Sequence, residues 1–141
     1  MDIRTIDDQI AVSPQITPED ILELARLGFK TLVANRPDAE EPGQPAMGDL
    51  EAAAREQGLE WVYQPVDSGN ILDSDVDRFD QMIRQASGPV MAFCRTGTRS
   101  TILWALSSAR RDPVEDIVKK ARKAGYDLSG LAPRLVQQSG N

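Results

Sequence analysis

Apolar positions along the chain fall into two rhythms. Four short runs, Ile10-Ala11-Val12, Phe29 to Ala34, Leu59 to Tyr63 and Val90 to Phe93, are continuous and rich in branched or aromatic residues, and each reads as a strand. Between them the apolar residues recur at helical spacing. Thr17 as N-cap, Pro18 at the first helical position and Glu19-Asp20 in the first turn announce a helix. Its apolar side is Ile21, Leu22, Leu24, Ala25 and Leu27, and Gly28 ends it. Asp49 to Gln57 forms a second helix closed by Gly58. A third, capped by Asp73 or Ser74, runs to about Gln85 with Phe79, Met82 and Ile83 inward. Thr101 to Ala109 is a largely apolar helix, as suits a central position. Asp112-Pro113-Val114-Glu115 then starts another, with cap, proline and capping-box acid in register, and Gly125 stops it. Leu128 to Val136 is a short closing segment.

Strands alternating with helices predict an α/β domain of three layers, with a mainly parallel central sheet flanked by helices. No repeat, low-complexity stretch or linker divides residues 1–141, so one domain is expected. In such sheets the loops at the carboxyl ends of the strands carry the site. Three loops qualify: Asn35 to Asp38, Asp67 to Asn70 and Cys94 to Ser100.

Composition removes several function classes. At 141 residues, 40% apolar and 27% charged, the chain suits an ordinary globular domain. No apolar run approaches membrane-spanning length, and the acidic amino terminus lacks a signal core, so a cytoplasmic location and no membrane contact are expected. A net charge of −6 argues against a nucleic-acid surface. Local basic excess occurs at Arg110 and Arg111 and in Lys119, Lys120, Arg122 and Lys123; the latter group reads as the solvated face and last turn of a helix. There is no histidine, which excludes Ser-His-Asp triads, Cys-His dyads and the usual zinc and iron sites. The acidic run from Asp38 to Glu41 reads as a solvated loop, so neither metal nor cofactor is expected. Trp61, Trp104 and Phe93 read as core.

The one cysteine, Cys94, changes the picture. It ends an apolar strand and opens Cys94-Arg95-Thr96-Gly97-Thr98-Arg99-Ser100, which runs into a helix. A strand-to-helix turn aims backbone N–H groups and the positive helix end at the sulfur. Gly97 permits the backbone angles of a tight nest, and Arg95 and Arg99 add positive charge. Such a setting favours the thiolate and makes a nucleophile. The loop amides, with Arg99, can hold an oxyanion or a sulfane-sulfur donor, which makes Arg95, Thr96, Gly97, Thr98 and Ser100 candidate substrate-binding residues. Ser100 either donates to the thiolate or caps the following helix. Arg36 either adds positive potential beside the site or pairs with Asp38 or Glu40.

These residues resemble two families. Phe93 to Ser100 looks like the active loop of rhodanese-type sulfurtransferases. Ile10 to Pro18, the helix to Gly28, the strand to Ala34 and Trp61-Val62-Tyr63-Gln64-Pro65-Val66 resemble a dual-specificity or tyrosine phosphatase in order of elements. Phosphatases of that type usually place a histidine before the cysteine and five residues between cysteine and arginine; here Phe93 precedes Cys94 and only four residues separate it from Arg99. The chain is identified as a member of a bacterial family, the phosphatase-like domains of beta-lactamase hydrolase-like proteins (DUF442). The match rests on Ser13-Pro14-Gln15, Asn35-Arg36-Pro37-Asp38, Cys94 to Ser100, Leu103-Trp104-Ala105-Leu106 and Ala124-Gly125-Tyr126-Asp127-Leu128. That resemblance implies a cysteine-phosphatase-like fold and either of two activities. Some members are fused to a persulfide dioxygenase, which implies a partner of that kind.

On sequence alone the shorter loop favours sulfur. A phosphoryl group needs three oxygens cradled at once, whereas one sulfur needs less room. The first expectation is therefore a sulfurtransferase: Cys94 takes sulfur from a small-molecule donor, the persulfide rests beside Arg99, and an external thiol acceptor removes it. The alternative is phosphate-monoester hydrolysis with Asp67 as general acid and Asp38 in reserve. Asp67 also fits a bland role, an Asx-turn with Ser68-Gly69-Asn70. A third reading is a non-catalytic anion binder.

Overall fold

The computed structural model describes residues 1–140. Five strands form one mixed sheet: β1 (Arg4–Thr5), β2 (Ile10–Ser13), β3 (Thr31–Ala34), β4 (Glu60–Tyr63) and β5 (Val90–Phe93). Their order across the sheet is β1-β2-β5-β3-β4. β2, β5, β3 and β4 run parallel, and β1 pairs antiparallel to β2 at one edge. The helices are α1 (Pro18–Arg26), α2 (Met47–Glu56), α3 (Asp73–Gln85), α4 (Thr98–Ser108), α5 (Val114–Lys123) and α6 (Ala132–Ser139), with a 3-10 turn at Ser129–Leu131.

Side chains alternate across the strands and divide the apolar interior in two. Ala11, Leu32, Ala34, Met91 and Phe93 face α1 and α2. Ile10, Val12, Val33, Val90 and Ala92 face the opposite way, into a larger cluster with Val76 and Phe79 of α3, Leu103 and Leu106 of α4, Ile117 of α5 and Leu135 of α6. The predicted three layers and mainly parallel sheet are thus observed. α4 lies at the centre of its layer, and Leu103, Ala105 and Leu106 have no exposed surface.

Several boundaries differ from the sequence reading. β1 has two residues, too few to leave an apolar signature. α4 begins three residues before the expected Thr101, because Gly97 in the left-handed region (φ 91°) lets the chain turn straight from the cysteine loop into helix. Asp112 does not cap α5: Pro113 occupies the N-cap position and no side chain bonds the first turn. Thr17 caps α1 as expected, accepting from the Asp20 amide while Asp20 accepts from the Thr17 amide.

Register brings the strand ends level. Ser13 pairs with Phe93, Phe93 with Ala34, and Ala34 with Tyr63. Hydrogen bonding continues one step beyond: Cys94 N–H donates to Ser13 O (3.4 Å), Asn35 N–H to Phe93 O (2.9 Å) and Gln64 N–H to Ala34 O (2.9 Å). Four loops therefore leave the sheet at one edge, with Cys94 in the middle.

Candidate active site

The carbonyls of the cysteine loop are turned outward and held there. Arg95 O accepts from the Gln15 amide (3.2 Å), and Gly97 O accepts from the Thr101 amide (3.0 Å) and hydroxyl (2.7 Å). Thr96 O accepts from the Tyr126 hydroxyl at 2.9 Å. The Gly97 N–H faces the other way and donates to Cys94 Sγ at 3.1 Å, while the Thr98 N–H donates to Thr96 Oγ1 at 3.4 Å. Arg99 and Ser100 lie in the first turn of α4, whose N–H groups have no intrahelical carbonyl to meet. The result is a concave nest at a helix N-terminus with a sulfur at its base, a natural anion site. Cys94 has no exposed surface.

Arg99 is only 6% exposed. Its Nη1 donates to Glu40 Oε2 (2.8 Å) and to Val66 O (3.0 Å), and its Nη2 donates to Glu40 Oε1 (2.9 Å). These bonds with Glu40 raise the guanidinium pKa first of all, against the lowering effect of burial, and the charge of nearby Cys94 raises it further. Reciprocally, Arg99 and then Arg36 hold the Glu40 carboxyl down at about 2, against the upward push of partial burial.

The predicted site residues separate into groups. Arg36 is buried and does pair with Glu40, its Nε to Oε1 at 2.9 Å, but its other partners are Glu41 (2.9 Å) and Gln15 (3.0 Å) instead of Asp38. Arg95 is exposed and joins Glu41 at 2.8 Å. Thr96 and Thr98 are exposed and share a hydroxyl hydrogen bond of 3.0 Å. Ser100 faces neither sulfur nor solvent: its hydroxyl donates to Asn35 Oδ1 (2.8 Å), and Asn35 Nδ2 donates to Gln64 O (2.9 Å). Buried Asn35 thus ties three loops together, a role the sequence reading missed. Asp67 is exposed in a turn closed by Asn70 N–H to Asp67 O (3.1 Å). It follows directly on Val66, whose carbonyl Arg99 holds. Asp38 is occupied structurally: its Oδ1 accepts from the Met47 amide (3.1 Å) at the start of α2.

The acidic run read as a solvated loop is part of the site. Glu40 and Glu41 together engage Arg36, Arg95 and Arg99. A cleft of about 270 Å³ opens between them, lined by Glu40, Glu41, Ser68, Arg95, Thr96, Thr98 and Arg99. A larger cleft of about 800 Å³ lies between α5 and α6 and is lined by residues such as Val114, Val118 and Ala132, without any residue of the cysteine loop. Among the described residues no group of three or more His, Cys, Asp or Glu is placed to hold a metal, and no helix is long and apolar enough to cross a membrane.

The chain resembles known proteins in sequence and in fold. A beta-lactamase hydrolase-like protein of Xylella fastidiosa (strain Temecula1) is 33% identical over 99% of this chain, which spans 33% of that protein. The chain thus spans about a third of the length of the curated relatives it matches. The crystal structure of a Neisseria meningitidis Z2491 protein described as a candidate phosphatase superposes with a TM-score of 0.87 at 38% identity, covering 98% of this chain and 99% of that one. The core catalytic domain of the PP-IP phosphatase SIW14 from S. cerevisiae superposes at 0.71 over 96% or more of this chain, and at 15% identity this shows the shared fold alone. Residues 2–111 match the family of the beta-lactamase hydrolase-like protein, phosphatase-like domain, and the chain belongs to it.

Proposed function

We propose that the protein is a cysteine-dependent phosphatase that hydrolyses phosphate monoesters through a Cys94 phosphoenzyme. The observation that carries this reading is the loop: a sulfur accepting from the Gly97 amide, with Arg99 in the first turn of α4 that follows it, on a phosphatase-like fold. Sequence alone put sulfur transfer first; the likeness of the fold reverses that order.

In the reaction the Cys94 thiolate attacks phosphorus and the ester P–O bond breaks. Loop amides and Arg99 hold the non-bridging oxygens as charge builds on them. The departing alkoxide takes a proton from an acid, and Asp67 is the residue proposed for it. Glu40, held at about 2, is ionised at neutral pH and has no proton to give. Asp38 already accepts from the Met47 amide. Asp67 hangs one residue beyond the carbonyl that Arg99 binds and beside cleft-lining Ser68. Water then attacks phosphorus, the P–S bond breaks, and Asp67 takes the water proton. Orthophosphate leaves and the thiolate returns. Arg95, Thr96, Gly97 and Thr98 shape the mouth of the nest in this scheme, Arg36 positions Glu40, and Ser100 fixes the helix start.

One observation favours a second reading. Only four residues separate Cys94 from Arg99, and both terminal nitrogens of Arg99 are on Glu40, so fewer donors remain for three phosphoryl oxygens. A Cys94 persulfide would need fewer. Sulfane sulfur would then pass from a small donor to an external thiol, and a persulfide dioxygenase would be a fitting partner. Phosphate release from p-nitrophenyl phosphate, set beside Cys94 persulfide and sulfite formation from thiosulfate, or thiocyanate formation when cyanide is added as acceptor, separates the two. Release lost in Cys94→Ser supports the phosphatase. Sulfur transfer with no phosphate release supports the second reading, and inertness in both assays supports an anion binder.

A further inference from the structure

Tyr126 lies outside the cysteine loop in sequence, yet it touches the peptide group that serves the sulfur. Its hydroxyl donates to Thr96 O at 2.9 Å, and the Gly97 N–H donates to Cys94 Sγ at 3.1 Å. These two atoms belong to one peptide unit. In a trans peptide the carbonyl and the N–H point in opposite directions, so holding one aims the other. Pulling electron density onto the carbonyl oxygen also strengthens the N–H as a donor. The phenol, the peptide and the sulfur form a single line of hydrogen bonds.

The fold delivers Tyr126 to that place deliberately. Gly125 ends α5 in the left-handed region (φ 98°). Its N–H bonds Arg122 O (2.9 Å) and the Tyr126 N–H bonds Ala121 O (2.9 Å), a Schellman ending that turns residue 126 back over the helix. The ring is buried among Leu128 and its neighbours, and Arg4 of β1 lies over its face at 5.0 Å from the centroid. A Cβ at position 97 would overlap the Tyr126 hydroxyl, so the glycine and the tyrosine require each other. Burial first, and then the charge of Cys94, raise the phenol pKa, so it keeps its proton to donate.

We propose that Tyr126 is a positioning residue that stabilises the Cys94 thiolate through the Thr96–Gly97 peptide. It rests on Cys94 being the nucleophile, and it holds equally for phosphorus or sulfur chemistry. Other charged groups around the sulfur are Arg99 from α4, with Glu40 and Arg36 behind it, Arg95 on the loop turned to Glu41, and Arg4 beyond the Tyr126 ring. None of them touches the Thr96 carbonyl.

With one cysteine in the chain, selective carbon-13 cysteine labelling gives a single Cβ resonance that reports thiol ionisation without any reagent entering the site. Its pH titration is followed in wild type, Tyr126→Phe and Tyr63→Phe. Losing one hydrogen bond from the line moves the Tyr126→Phe midpoint upward, with roughly three- to tenfold less thiolate on the acidic side. Tyr63→Phe, which removes a hydroxyl that accepts only from the Asp38 amide, leaves the midpoint in place. The chain has two tyrosines, so 3-fluorotyrosine supplied to Tyr63→Phe labels Tyr126 alone. A more acidic phenol donates more strongly and moves the midpoint downward. The fluorinated protein decides the matter even where Tyr126→Phe fails to fold. Coincident titrations across all forms, or equal shifts in Tyr63→Phe and Tyr126→Phe, overturn the proposal. A wild-type midpoint at that of an ordinary free thiol, unmoved in every form, sinks the nucleophile reading as well.

Discussion

Both carboxylate oxygens of Glu40 accept from Arg99, Oε2 from Nη1 at 2.8 Å and Oε1 from Nη2 at 2.9 Å. A fork of that kind fixes a guanidinium in orientation as well as in place. The same fork neutralises the charge that an entering oxyanion would use. Glu40→Gln therefore leaves Arg99 with an uncompensated charge at the mouth of the nest. Orthophosphate, measured as a competitive ligand at low salt, binds several-fold more tightly to the variant. Weaker binding would show that Glu40 serves chiefly to aim Arg99.

Acid stability follows from the same pair. Arg99 and Arg36 hold the Glu40 carboxyl down at about 2 in the folded protein, below the ordinary 4.5, so it stabilises the fold fully above about 4.5. That contribution is lost as pH falls from about 4.5 through 2. Asp80 acts in the same direction, held down by Arg111 and Ser107 despite its burial. Urea unfolding of wild type should weaken across this window, and Glu40→Gln should show a shallower decline. Parallel curves would remove Glu40 from the account.

Arg99→Lys keeps a positive charge but loses the fork, and the three donors of an ammonium cannot meet both Glu40 oxygens, Val66 O and a bound oxyanion together. Turnover should fall on the order of 10²-fold or more, as removal of a transition-state donor does elsewhere. A loss of only a few-fold would place Arg99 outside the chemistry.

Gly97→Ala meets two obstacles, a φ of 91° and the Tyr126 hydroxyl. Destabilisation of about 1–3 kcal/mol is expected from the backbone alone. Thermal melts measure it, and the more informative readout is a drop in Cys94 reactivity beyond that of Gly43→Ala. Gly43 also has positive φ, but open space lies where its Cβ would stand.

Much of this site is legible in the sequence, for specific reasons. Cys94, Gly97 and Arg99 fall within one loop between an apolar run and an apolar helix, and that spacing fixes their neighbourhood. The strand core is legible because Ile10 to Val12 and Val90 to Phe93 are continuous apolar runs, as burial on both faces requires. The Arg36–Glu40 pair was among the alternatives, but Glu41 and the reach of Glu40 to Arg99 were not, because an acidic Pro/Gly-rich stretch looks the same in water as folded onto three arginines. Arg36 beside that run was the available signal. Tyr126 stood inside a family motif and after a helix-stopping glycine, but its target is 30 residues away in sequence. The hydroxyl of Ser100 goes to Asn35, which no local spacing predicts. β1 escapes notice because two residues carry no period.

Asp67 has its own test. If it is the general acid, Asp67→Asn slows alkyl phosphates, whose leaving groups need a proton, by roughly 10²-fold or more, and p-nitrophenyl phosphate much less. Equal effects on both would return Asp67 to the turn it closes with Asn70.

In the proposed mechanism Cys94 carries phosphorus covalently during turnover. Acid-quenched single-turnover samples with a phosphate monoester, read by intact mass and peptide mapping, test it most directly. A phosphoryl adduct on Cys94 that forms and decays with product release, absent in Cys94→Ser, is the predicted result. Turnover without such an adduct, or a protein that gains a one-sulfur adduct from thiosulfate while never releasing phosphate, would contradict it.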